Sequence, residues 1–208
     1  MQFVRHGPDI PEGLLQAHED GRVVFFCGAG ISYPARLPGF KGLVERLFPA
    51  VGEVPNAVQK AAIKAGQFDT AIGLLEADIA GGREEVRRKM AGILTPAAIT
   101  PAATATHEAL LDLGKARDGR TRLITTNFDR LFEEVIRARG LTVERFRAPL
   151  LPVPKNRWDG LVYLHGRLRT GQRQPDINQE LVLGSADFGR AYLADAWATR
   201  FVQQLLAK

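Results

Sequence analysis

The chain has 208 residues, 45% of them hydrophobic and 25% charged, which suits a soluble domain with one buried core, with or without an insertion. No apolar run approaches the ~20 residues that span a bilayer, and the N-terminus lacks the apolar core of a secretory signal, so a cytoplasmic protein is expected. The single cysteine, Cys27, excludes an internal disulfide framework and any multi-cysteine zinc site. The net charge is +5, and the basic residues are dispersed, as in Arg83–Lys89, without interleaved aromatics. That pattern reads as a solvated basic surface, and specific nucleic-acid binding is not expected.

In chain order, residues 1–21 read as an arm with a short helix leading into an apolar strand over 22–27. Gly28-Ala29-Gly30-Ile31-Ser32 follows it. A glycine turn after a buried strand allows positive φ and leaves no side chain between backbone N–H groups and a phosphate. Pro34, Pro38 and Gly39 then mark an irregular loop. Phe40 to Phe48 has helical period, with Phe40, Leu43, Val44, Leu47 and Phe48 on one face. Pro55 to about Met90 predicts two or three helices broken near Gly66 and Gly81-Gly82, part of a helical insertion over about 50–115. A further helix is expected from Ala103 to Leu113, ending at Gly114.

Arg120–Thr126 predicts a second strand, and Phe128–Arg139 a helix stopped by Gly140. Leu141–Phe146 and Leu161–Leu164 predict two more strands, the latter ending at His165-Gly166. Glu180–Leu183 is a candidate strand. Ser185 opens a final helix with Phe188, Tyr192, Leu193, Trp197, Phe201 and Leu205 on its apolar face. Alternating strands and helices imply a Rossmann-like parallel sheet covered on both faces, in which ligands bind at the carboxyl ends of strands. Three polar clusters sit at such ends: Gly28–Ser32, Thr125–Asp129 and His165. Taken singly, Asn127 or Thr126 reads as a helix N-cap and His165 as a satisfied core histidine. Functionally, His165 offers a proton acceptor at neutral pH.

The order GAGIS, ITTNFD, YLHG resembles the sirtuin family, loosely over about residues 22–205. Leu37-Pro-Gly-Phe-Lys41 is similar to the family's cofactor loop, and Pro101…His107-Glu-Ala-Leu110 follows its helix spacing. The resemblance implies NAD as the ligand. Gly28, Ala29, Gly30 and Ser32 would line its phosphate and ribose, Phe40 would lie near the nicotinamide, and Lys41 and Thr125 would add cofactor contacts. Asn127 and Asp129 would border the nicotinamide ribose, and His165 would act on its hydroxyls or on an attacking water. His107 matches a family position on a supporting helix and reads as structural.

The four-cysteine zinc module of protein deacylases has no counterpart here, and Gly39 and Lys41 stand where the family has Asp and Arg. These departures resemble the zinc-free sirtuin-like domains of bacterial anti-phage systems, which hydrolyse NAD to nicotinamide and ADP-ribose, act as oligomers and are fused to sensor regions. The chain stops at Gln203–Lys208, where the family pattern continues with a strand and a glycine turn, implying one domain of a longer protein. The expectation is an NAD glycohydrolase. The alternatives are an NAD-dependent protein deacylase and a non-catalytic NAD- or ADP-ribose-binding assembly module.

Overall fold

The computed structural model describes residues 1–154, 158–169 and 178–207. Four strands form one parallel sheet in the order β1-β2-β4-β3: β1 Phe25–Cys27, β2 Arg122–Thr125, β3 Arg145–Arg147 and β4 Gly160–Tyr163. The registers Cys27↔Thr125 and Thr125↔Tyr163 bring three strand ends level. Hydrogen bonds from Thr126 N to Cys27 O and from Leu164 N to Thr125 O extend the alignment one residue further.

The central strands β2 and β4 are buried on both faces, as internal strands of a parallel sheet are. Leu123, Leu161 and Tyr163 pack with Leu111 of α6 (Pro101–Leu113) and with Phe132, Val135 and Ile136 of α7 (Leu131–Ala138). Ile124, Val162 and Leu164 face the other way, onto Trp158, Ala191, Ala198 and Phe201. Helices therefore cover both faces, as expected of a Rossmann-like α/β fold. The N-terminal helix α1 (Glu12–Glu19) is tied to the end of α6 by His18 Nε2 at 2.7 Å from Leu113 O.

Helices α2 (Phe40–Ala50), α3 (Ala57–Lys64), α4 (Phe68–Asp78) and α5 (Gly82–Ile93) gather around a second core that also takes in Leu168, Leu181 and Leu183. Asn56 caps α3 by accepting from Val58 N and Gln59 N, satisfying donors that a helix start leaves free. The expected helical insertion over 50–115 is thus divided. Its α3–α5 portion joins α2 in this core, while α6 packs on the sheet.

Several elements differ from expectation for identifiable reasons. β1 begins at Phe25 because Arg22 N bonds back to Ala17 O across a turn at Gly21 (φ 68°). α7 begins at Leu131, because Asp129 Oδ1 accepts from Leu131 N and residues 126–130 stay non-helical. β3 is confined to Arg145–Arg147, since Leu141 N bonds Ile136 O to close α7. Glu180–Leu183 is not a strand, because the carbonyls of Gln179 and Leu181 are taken by Arg87 Nη1. The final helix is three pieces: α8 (Ser185–Phe188), a π-helical turn over Gly189–Ala194, and α9 (Trp197–Leu206). Ala196, at φ 50°, resets the helical phase between the last two. Leu193 is consequently 80% exposed rather than on the apolar face.

Arg83 and Arg87 are not part of a solvated basic surface. Arg87 is 1% exposed and bonds Asp187 at 2.5 Å, Glu76 at 3.1 Å and the carbonyls of Asn178, Gln179 and Leu181. Arg83 bridges Asp187 and Glu76 beside it. Burial pushes the Asp187 carboxyl up, but the two arginines outweigh it and hold it below the ordinary range. At Glu76 burial prevails and the carboxyl is raised, so Asp187 is the stronger counter-ion. Arg88, one residue on, is 64% exposed and pairs only with Glu85.

Arg87→Ala leaves Asp187 and Glu76 with only the partly exposed Arg83, and three backbone carbonyls without their donor; it is expected to cost about 3–5 kcal/mol in urea unfolding. Arg88→Ala should change stability by less than about 0.5 kcal/mol. Equal effects from the two would contradict this assignment.

Candidate active site

A cavity of about 260 Å³ opens at the carboxyl ends of β1, β2 and β4. Its wall takes Ala29 and Ser32 from the segment after β1, Thr126 to Asp129 from that after β2, and His165 from that after β4. Leu37 to Phe40, Leu43, Leu94 and Phe188 close the helical side.

Ser32 is the junction. Its hydroxyl donates to Asp129 Oδ2 at 2.7 Å, accepts from Asn127 Nδ2 at 3.1 Å and lies 3.5 Å from His107 Nε2. Ser32, Asn127 and Asp129 are all buried, and His107 has no exposed surface. Asp129 uses its other oxygen on Leu131 N, so both carboxylate oxygens hold local structure. Asn127 is not the helix cap that its position suggested; its side chain turns to Ser32. Among the described residues its amide oxygen accepts no hydrogen bond from the protein, which leaves that atom for a ligand or a water. His107, set edge-on to Phe132 at 4.8 Å, lies beneath this network. Burial lowers its pKa despite the opposing charge of Asp129.

The residues after β1 do not form a positive-φ turn. Gly28 has φ −109° and Gly30 is not among the positive-φ residues; Ala29–Ala35 winds as a 3-10 helix. A Cβ on either glycine would meet nothing within 4 Å, so neither position is kept small by packing within the protein. Neither lines the cavity, which takes Ala29 and Ser32 from this segment. Thr125 also lies outside the wall: fully buried, it donates to Cys27 O at 3.2 Å and accepts from Asn127 N at 3.1 Å, bracing the loop. Phe40 is in the wall and meets Phe68 edge-on at 6.0 Å. Lys41 is 69% exposed, lies outside the cavity wall and sits 3.8 Å from Glu45. Burial pushes the Cys27 thiol up to about 11, so it stays protonated and unreactive.

His165 is held by aromatic neighbours. Phe188 meets its ring edge-on at 5.2 Å, and the Tyr192 hydroxyl lies 2.7 Å from Nε2. The π-helical turn carries Tyr192, which stacks on Phe188. Gly166, at φ 88°, turns the chain directly after His165, and a Cβ there would come within 2.8 Å of Leu181 Cδ2. Burial lowers the His165 pKa from 6.5 to about 4, so the ring is neutral at pH 7 and a weaker base than a solvated imidazole. Phe128, Phe188, Thr126 and Leu94 were not expected in the site: Thr126 reads from the sequence as a cap candidate and Phe188 as part of an apolar helix face. Phe128 lies inside the TTNFD motif, whereas Leu94 reaches the wall only through the helical core.

The depressed pKa makes stability depend on pH. Between pH 6.5 and about 4 the unfolded chain takes up a proton that folded His165 refuses, so stability falls as pH falls through that window. His107 acts in the same direction. The urea midpoint should drop between pH 7 and 5, and His165→Gln should flatten that slope. An unchanged slope would contradict the burial of a neutral imidazole.

Residues 121–208, which carry β2, β4, Asn127, Asp129 and His165, match the family model of the SIR2-like domain. The chain is also 35% identical over 212 residues to a protein of Sinorhizobium fredii named "Uncharacterized protein y4cA", a match covering 99% of this chain and 17% of that protein. The chain thus spans about one sixth of the length of this curated relative. The part of the chain that supplies two of the three strand ends is similar to SIR2-like domains.

Proposed function

We propose that this chain cleaves NAD to nicotinamide and ADP-ribose. The observation that carries the reading is the convergence of Ser32, Asn127 and His165, from three strand ends, on one cavity within a fold similar to SIR2-like domains. Domains of that family bind NAD. The cavity volume of about 260 Å³ suits the nicotinamide ribose rather than the whole dinucleotide.

The reaction asks little acid catalysis of the protein. As the bond from C1′ to the pyridinium nitrogen breaks, its electron pair returns to the ring and neutral nicotinamide leaves. The sugar passes through an oxocarbenium-like state, and water adds to C1′ and loses a proton. The Asn127 amide oxygen orients that water or a ribose hydroxyl without titrating. Neutral His165 accepts the proton. Asp129, with both oxygens engaged, holds Ser32 and the loop and adds negative charge near the developing cation. Phe40 and Phe128 supply apolar surface to the nicotinamide.

Hydrolysis is preferred over protein deacylation because these 208 residues contain one cysteine and cannot build a four-cysteine zinc module. By its likeness to zinc-free sirtuin-like domains, we further propose a cytoplasmic effector of anti-phage defence, working as an oligomer with a fused or associated sensor region.

Chromatographic measurement of nicotinamide, with and without an acyl-lysine peptide, tests the reading. Release independent of peptide is expected, and His165→Ala should slow it by about 10²–10⁴-fold. Asn127→Ala should also lower the rate, with the fold checked by circular dichroism. Release only with peptide would make the protein a deacylase. Tight NAD binding without turnover would make it an assembly module.

A further inference from the structure

Three arginines line one cleft beside Gly166. Arg147 is the last residue of β3, and Arg167 and Arg169 follow β4. With Asn178, Glu180, Gly166 and Leu181 they line a small cleft that shares no lining residue with the strand-end cavity.

The charges in this cleft are unevenly matched. Arg167 pairs with Glu133, which also serves Arg145, and its guanidinium lies 5.5 Å from the Tyr163 ring centre. Its buried Nε has no hydrogen-bond partner among the described residues. Arg169 reaches Glu180 only at 3.4 Å, and that carboxylate is 58% exposed. Arg147 is half-buried, and among the described residues no hydrogen bond or ion pair engages it. Burial lowers its pKa, and the positive charges of Arg169 and Arg167 lower it further against Glu180. Like charges drawn together in a partly desolvated cleft are unfavourable without an anion between them. Guanidinium forks on two chain segments match the several oxygens of a phosphoryl group.

We propose that Arg147, Arg167 and Arg169 form a second anion site that binds the phosphate chain of a small oligophosphate or nucleotide. The cleft encloses only about 10 Å³, so the phosphate chain lies across its mouth, against the guanidiniums, rather than inside it. Glu180 at the rim competes for Arg169 and tunes the affinity. This site does not depend on whether the strand-end cavity turns over NAD.

Titration calorimetry of the chain with inorganic tripolyphosphate tests the assignment. Saturable binding at one site is expected. Arg147→Gln and Arg169→Gln should each weaken it about tenfold or more, whereas Glu180→Gln, which removes the competing carboxylate, should tighten it. Asn127→Ala should leave it unchanged. Retained affinity in both arginine variants would overturn the proposal. So would loss in Asn127→Ala, which would move the anion to the strand-end cavity. Arg147-dependent binding of duplex DNA with none of tripolyphosphate would overturn the small-anion class and make the cleft a nucleic-acid contact.

Discussion

The site depends on one buried hydroxyl. Ser32 carries a single proton, and giving it to Asp129 leaves its lone pairs to Asn127 and His107. These partners come from two places in the chain: Asn127 and Asp129 from the loop after β2, His107 from α6. The hydroxyl therefore sets the distance between the first two strand ends and also keeps residues 126–130 out of the helix that follows. A buried polar group left unmatched costs about 1–3 kcal/mol, so the network persists only as a whole. Its placement under the cavity floor, rather than in the wall alone, fixes the rotamer of Asn127 before any ligand arrives.

The third strand end is held from another direction. His165 is positioned by Gly166, by the aromatic pair Phe188–Tyr192 and by the hydrogen bond from Val182 N to its carbonyl. Those groups belong to the segment that Arg87 fastens to the helical core through Asp187 and three backbone carbonyls. One side of the cavity thus rests on hydrogen bonds around the Asp129 carboxylate, and the other on a buried ion network between the helices and residues 178–187. The two supports meet at the cavity. The arginine cleft beside Gly166 lies on the same segment, one residue from His165.

Much of this was legible in the sequence, and the rest was not for physical reasons. Apolar strands ending in GAGIS, ITTNFD and YLHG announce a parallel sheet with polar strand ends, and the cavity lies where that topology puts it. The helices from Phe40 to Leu113 follow their period and their Gly breaks closely. Arg87 was hidden because a charged residue in Arg83–Lys89 reads as surface. Its phase gives the clue, since it lies between buried Val86 and Met90 and one turn from Arg83. The Glu180–Leu183 strand fails for a tertiary reason, as a distant guanidinium takes the carbonyls a neighbouring strand would have used. Gly28 and Gly30 suggested backbone freedom, whereas neither has a positive φ and neither is crowded by a neighbour. Lys41, matched only by its place in a loop, sits outside the cavity because the first turn of α2 pairs it with Glu45.

We propose that three strand ends form one dinucleotide-ribose site. The most direct test is amide hydrogen exchange with and without a carbocyclic NAD analogue whose nicotinamide bond resists cleavage. The account predicts added protection over residues 29–32, 126–129 and 165–166 together, and little change in α3 or α9. Protection confined to other segments, or to one strand end alone, would contradict it.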